Sequence, residues 1–226
     1  MKIGIFAIAA ICAATGAWAG GMGETAEEPA TFAPVADYDW SGAYVGLGIG
    51  IADGSVTWEA TGIGSGSKSG FDGTTFSVRA GRDWQRGNLV FGALLEGVSG
   101  TVSAVDDVNT VFFCGSAGGC TTEIEDYYSV RARVGRAVGQ TLIFGTVGLA
   151  SAQVTGSTPA FGIHGEDRLN GWAYGLGVEH AVRDNLTVSA EYVLNDLGTL
   201  DLPFACGPCH TEVKFGTLQL GANYRW

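Results

Sequence analysis

The chain has 226 residues, of which 46% are hydrophobic and only 15% charged, with 37 glycines, 5 prolines and a formal net charge of −11. That much glycine without a G-X-Y period excludes a collagen, and the apolar fraction excludes a disordered chain. The acidic balance argues against nucleic acid as a partner, because that binding is driven by phosphate neutralisation.

The first residues, "MKIGIFAIAAICAATGAWAG", place Lys2 before an apolar stretch and an A-x-A site at Ala17-Trp18-Ala19. This is the pattern of an export signal spanning residues 1–19; a buried core helix is the alternative. Ile11 stands before Cys12 where a lipoprotein signal would carry a small residue. Residues 20–39 are acidic, rich in small residues and contain Pro29 and Pro34, so they read as a flexible leader. After the first twenty residues there is no apolar run of about 18, so no transmembrane helix is expected.

From residue 40 the pattern becomes period two, and residues 40–226 read as about eight strands in which alternate side chains take opposite faces. The first is "WSGAYVGLGIGIA", with Ala43, Val45, Leu47, Ile49 and Ile51 on one face and mostly glycines on the other. The second sets Phe76, Val78 and Ala80 against Ser77, Arg79 and Asp83; the third sets Leu89, Phe91, Ala93 and Leu95 against Gly92 and Glu96. The fourth, "YYSVRARVG", sets Tyr128, Val130, Ala132 and Val134 against Ser129, Arg131 and Arg133. The fifth, "TLIFGTVGLASAQV", has no assignable facing. The sixth sets Trp172, Tyr174, Leu176 and Val178 against Gly175, Gly177 and Glu179; the seventh sets Leu186, Val188, Ala190 and Tyr192 against Thr187, Ser189 and Glu191. The eighth, "LQLGANYRW", puts Leu218, Leu220, Ala222, Tyr224 and Trp226 opposite Gln219, Asn223 and Arg225.

Connections alternate in length. Hairpin turns are expected at Gln85-Arg86-Gly87, Val138-Gly139-Gln140 and Arg183-Asp184-Asn185. Long loops are expected over residues 53–73, 101–125, 156–168 and 198–211. The polar parity carries four cations and four anions (Arg79, Asp83, Glu96, Arg131, Arg133, Glu179, Glu191 and Arg225) among many glycines. Glycine weakens a strand unless something approaches it closely. A narrow barrel lumen accounts for both features, with the charges neutralising one another inside. The apolar parity then faces lipid, and Trp40, Trp84, Trp172, Tyr192, Tyr224 and Trp226 mark its interfaces. A closed barrel is the only sheet that can span lipid. An exported soluble barrel with an apolar core is the alternative.

The stretches "YDWSGAYVGLGIG", "LEGVSG", "YYSVRARVG", "GLGVEHAV", "LTVSAEYVLNDLG" and the last strand resemble the small outer-membrane β-barrel family of Gram-negative bacteria, which includes the α-proteobacterial 25- and 31-kilodalton surface antigens. The resemblance covers residues 38–226. It implies an all-β, eight-stranded antiparallel up-and-down barrel in the outer membrane, with four long external loops, three short periplasmic turns and both termini periplasmic. Outer-membrane lipid and lipopolysaccharide would surround it. Gln219, Gly221, Tyr224 and Trp226 resemble the family's assembly signal, read by the barrel-insertion machinery; a terminal Phe is commoner there than Trp.

Four cysteines follow the leader: Cys114, Cys120, Cys206 and Cys209. In an exported chain they read as loop disulfides. Local pairs, Cys114–Cys120 and Cys206–Cys209, are preferred, with two cross-loop bridges as the alternative. "CGPC" matches a thioredoxin-type redox sequence but lacks the helix N-terminus that activates such a thiol. Metal binding by the cysteines with His210 is the weaker reading, so no metal or cofactor is expected. Asp72, Asp106, Asp107, Glu166, Asp167 and Asp201 read as solvated loop charge, with weak divalent-cation binding as the alternative. His164, His180 and His210 have no catalytic partners at recognisable spacing, and "GLGIG" lies inside a strand, not in a phosphate loop.

The expected function is structural or surface-interacting: envelope integrity, adhesion or antigen display around a side-chain-plugged lumen, with an external ligand or host surface unspecified. A narrow porin-like pore is the second reading. A lipid-modifying enzyme is the third, and no nucleophile–base constellation supports it.

Overall fold

The computed structural model describes residues 38–60, 64–106, 120–158, 163–204 and 207–226. The expected export signal and nearly all of the leader lie outside them, as do Cys114, Cys206 and Asp107. Eight strands form one closed antiparallel barrel in sequence order: β1 (Gly42–Ala60), β2 (Gly64–Arg86), β3 (Leu89–Asp106), β4 (Cys120–Val138), β5 (Thr141–Thr158), β6 (Ile163–Arg183), β7 (Leu186–Phe204) and β8 (Gly207–Arg225). β8 returns to β1 over a register running from Tyr44↔Arg225 to Ala60↔Cys209. Every strand is thereby paired on both sides in the lower barrel, which leaves no open edge there.

The three short turns fall where the sequence places them, as two-residue links: Gly87-Asn88, Gly139-Gln140 and Asp184-Asn185. Gly87 and Gly139 adopt φ of +57° and +58°. Glycine opens such turns because a Cβ is strained in this left-handed region. Gly87→Ala and Gly139→Ala are each expected to cost about 1–2 kcal/mol, with Gly87→Asn costing less; urea midpoints of the refolded protein check this.

The long loops are corrected. Strand reaches into each expected loop: β1 and β2 pair up to Ala60↔Gly64, β3 and β4 up to Asp106↔Cys120, β5 and β6 up to Thr158↔Ile163, and β7 and β8 up to Phe204↔Gly207. Asp72, Asp106, Glu166, Asp167 and Asp201 therefore lie in β2, β3, β6 and β7, and His164 and His210 in β6 and β8. The sequence hides this because outward positions become polar above a certain height and the period-two contrast fades.

That height is marked in the backbone. Pairing slips between Val98 and Val102 on β3, Glu125 and Tyr128 on β4, and Asp196 and Thr199 on β7. Gly198 supplies a φ of +79° at the last of these. Bulges of this kind bend a wall and increase its twist. Above them, among the described residues, β2 and β3 pair no further than Asp72↔Ser103, and β6 and β7 no further than Trp172↔Asp196. The upper wall thus parts into two four-stranded arms, β7-β8-β1-β2 and β3-β4-β5-β6.

Below the bulges the burial pattern inverts that of a soluble protein. Leu47 is 67% exposed and Leu176 75%, whereas Arg131 is 0% exposed. Val45, Ile49, Val78, Leu95, Val130, Val134, Ile143, Leu149 and Leu220 also point outward. β4 carries this face from Tyr128 to Val138, with Arg136 the one charged outward side chain in it, near the turn end. Ten residues at roughly 3.3 Å each on a strand tilted about 40° span about 25 Å, the height of a lipid-facing band. Aromatic rings bound it: Trp84, Phe91, Tyr224 and Trp226 toward the turns, Phe76, Tyr128, Trp172 and Tyr192 toward the arms. Trp40 is corrected. It is 0% exposed and packs inside the barrel with Val90, Leu142 and Phe144, not at the lipid interface.

Candidate functional site

The lumen is the part of the molecule that concentrates chemistry, and it is layered. Nearest the turns lies an apolar floor of Trp40, Val90, Ala137, Leu142, Phe144 and Ala181, with Tyr38 packed against it. The Tyr38 ring meets Trp40 edge-on at 4.8 Å, and its hydroxyl donates to the Asp184 carbonyl at 2.8 Å. Partial burial pushes the Tyr38 phenol above its ordinary value, which keeps it a donor.

Above the floor, all eight charges of the polar parity are buried and paired. They form two closed rings of four. In the lower ring, Arg133 bridges Asp83 (3.1 Å) and Glu179, and Arg225 bridges Asp83 (2.6 Å) and Glu179 (3.4 Å). In the upper ring, Arg131 bridges Glu96 and Glu191, both at 2.6 Å, and Arg79 bridges Glu96 (3.0 Å) and Glu191 (3.5 Å). Each ring alternates in sign and is neutral. A buried charge costs several kcal/mol of desolvation unless attraction and further hydrogen bonds offset it. Here they do. Thr146 donates to Glu191 at 2.9 Å, Asn223 to Glu179 at 3.0 Å, and Arg79 donates to Gln219 at 2.7 Å.

The lower ring is also bedded on aromatics. The Arg133 guanidinium lies 3.9 Å from the Phe144 ring centroid, and Arg225 lies 4.7 Å from Tyr44 and 5.1 Å from Trp40. Rings in this position attract a desolvated cation. Arg225 further donates to the Trp40 carbonyl at 2.8 Å. Sequence reading missed these aromatic partners; the one available signal was Tyr44, which breaks the glycine run on the inward face of the first strand.

The glycines make room for the rings. A Cβ on Gly175 would lie 2.5 Å from Glu191 Oε1, and one on Gly48 2.5 Å from Ser77 Oγ. On Gly46 it would strike Asn223, and on Gly92 Asp83. Small residues on β1, β3 and β6 therefore give the long charged side chains of neighbouring strands space to cross the lumen.

An apolar roof closes the layer sequence: Ala52, Val102, Ile124, Tyr127, Ala150, Ala152, Val154, Leu169, Ala173, Val193, Leu197, Val213 and Phe215. Tyr127 donates across it to Asn195 Oδ1 at 2.5 Å. The fifth strand's facing is now assigned: Ile143, Val147 and Leu149 point out, while Leu142, Phe144, Thr146, Ala150, Ala152 and Val154 point in. Both its faces are apolar, because it lines floor and roof as well as meeting lipid.

The other sequence-predicted residues scatter. Gln219 and Gly221 belong to the lumen, Gln219 as a ligand of Arg79 and Gly221 with a Cβ position 3.0 Å from Ser189 Oγ. Tyr224 and Trp226 stand on the outer face with ring centroids 6.2 Å apart. The Trp226 N–H donates to the Ala43 carbonyl at 3.1 Å, adding a bond to the β1–β8 seam. Cys120 opens β4 and Cys209 lies in β8, while their expected partners fall outside the described residues. Among the described residues, no group of three His, Cys, Asp or Glu side chains is placed to hold a metal ion.

The comparisons agree with this architecture. The family model for the outer membrane protein beta-barrel domain matches residues 6–225. The chain is similar to the 31 kDa outer-membrane immunogenic protein of Brucella melitensis, at 32% identity over all of both chains. It is also similar to a 22 kDa outer membrane protein of Rhizobium leguminosarum, at 31% identity over 83% of this chain and 78% of the relative. Among solved structures, Neisserial surface protein A matches 82% of this chain and 98% of its own at 17% identity, with a TM-score of 0.47.

Proposed function

The chain belongs to the outer membrane β-barrel family, and from that premise we propose that it is a plugged barrel serving as a rigid, non-catalytic mount for its two arms. The arms face outward from the cell, and the short turns and both termini face the periplasm after export. The arms would form a surface that outside molecules meet; the Brucella relative is named an outer-membrane immunogenic protein, which is compatible with such a surface.

One observation carries the reading. Two neutral charge rings are stacked between an apolar floor and an apolar roof. A conducting path needs a continuous file of water, and an eight-stranded barrel is only just wide enough for its own side chains. Envelope integrity and adhesion both suit such a mount. Outer-membrane lipid surrounds it, and Tyr224 and Trp226 stand where the barrel-insertion machinery can reach them.

Planar-bilayer recording tests the plug. Pure refolded protein is expected to give no discrete openings. Reproducible single-channel steps would replace this reading with the narrow pore.

A further inference from the structure

The outer face of the barrel is unevenly charged. Toward the arms, Asp53, Glu123, Asp126, Glu166 and Asp167 are exposed, with Arg168 and Lys214 as cations. Toward the turns, Arg82, Arg86, Arg136 and Arg183 are exposed, with Asp39 and Asp184 as anions. Three of those arginines share one patch. Along one row, Arg86 pairs with Leu89, and Leu89 with Arg136. The two guanidinium stems thus rise about 10 Å apart on either side of an exposed leucine. In the next row Trp84, Phe91 and Val134 lie side by side, and in the next Arg82, Ala93 and Ala132. Arg82 sits 5.7 Å from the Trp84 ring, which stacks on Phe91 at 5.9 Å. From Thr74 to the turns, the outward positions of β2, β3 and β4 carry no carboxylate among the described residues, and none of the three arginines has an ion pair there.

We infer that this patch binds the phosphate headgroup of an anionic glycerophospholipid. Arg86 and Arg136 flank the phosphate and Arg82 approaches it from the bilayer side. The acyl chains run over Phe91, Ala93 and Leu95, where the paired Ala93 and Ala132 present only short side chains. The inference rests on the apolar band facing lipid. Its height is fixed by the same band: Trp84 and Phe91 mark the interface, with Arg82 one row to the bilayer side of them and Arg86 and Arg136 one row toward the turns. Arginine suits phosphate through its planar fork of donors. The patch would hold the turn end in a phospholipid leaflet.

Native mass spectrometry of the refolded full chain, released from mixed vesicles of phosphatidylglycerol and phosphatidylcholine, tests this. Phosphatidylglycerol should be retained preferentially. Each guanidinium near a charged surface contributes about five-fold in affinity, so Arg136→Gln should cut the preference about five-fold and R82Q/R86Q/R136Q should abolish it. R86K/R136K should keep most of it. Heat-modifiable gel mobility certifies that each variant is folded, which separates loss of the site from loss of the barrel; should R82Q/R86Q/R136Q fail to fold, Arg136→Gln alone decides. Equal retention of both lipids by the unaltered protein, an unchanged preference in Arg136→Gln or R82Q/R86Q/R136Q, or displacement of phosphatidylglycerol by purified lipid A would each overturn the inference.

Discussion

Arg131→Ala is expected to destabilise the folded barrel by about 3–5 kcal/mol, the cost of stranding a buried countercharge. Arg131 is fully buried and holds Glu96 and Glu191 at 2.6 Å each, with Thr146 at 3.0 Å. Removing it leaves two carboxylates facing one arginine, Arg79, whose own contacts are longer at 3.0 and 3.5 Å. Neither carboxylate can turn to water, because floor and roof lie above and below. The whole ring need not be stabilising relative to apolar side chains. R79M/E96M/R131M/E191M should therefore lose less stability than Arg131→Ala alone. Urea midpoints in vesicles, and the temperature at which gel mobility converts, report both. An Arg131→Ala barrel as stable as the unaltered protein would show that water reaches the rings.

The second large effect comes from a backbone contact. A Cβ on Gly148 would strike the Val130 carbonyl oxygen and lie 2.6 Å from the Arg131 Cα. Those atoms belong to the neighbouring strand's main chain, so no side-chain rotation relieves the contact. Gly148→Val is expected to cost at least about 1–3 kcal/mol by overpacking and to displace Arg131 from its carboxylates. Gly145, on the opposite face of the same strand, has its nearest neighbours at 3.6 Å. Gly145→Val should fold normally. Equal behaviour of the two variants would mean that β5 has been assigned the wrong face.

Most of the wall was legible in the sequence because period two is a direct projection of strand geometry. Phe76, Val78 and Ala80 against Ser77 and Arg79 is enough to orient β2. The identity of the lumen charges followed from parity alone. Their pairing did not, since Arg131 meets Glu191 across the barrel at a sequence distance of 60, and Arg225 meets Asp83 at 142. Such contacts depend on strand tilt and stagger, which no local pattern encodes. β5 was illegible for a different reason: Leu142 and Phe144 belong to the floor and Ala150 to Val154 to the roof, so polarity does not separate its faces. Trp40 misled because an aromatic beside a strand start can serve either an interface or a plug. The arms were read as loops because a strand standing in water on its outer side keeps no apolar stripe there.

The central claim is that one face of each lower strand meets lipid and the other a dry, filled lumen. Cysteine accessibility on β4 tests both halves together. In a background with all five native cysteines (Cys12, Cys114, Cys120, Cys206 and Cys209) replaced by serine, Ser129→Cys places a thiol in the lumen, where the native residue is 3% exposed. Val130→Cys places one on the outer face, where it is 57% exposed. In vesicles, Val130→Cys should react with a lipid-soluble maleimide and resist a charged one, while Ser129→Cys should resist both. Rapid reaction of Ser129→Cys with the charged reagent would contradict the account by showing water in the lumen; the same result at Val130→Cys would show that the apolar face does not lie in lipid.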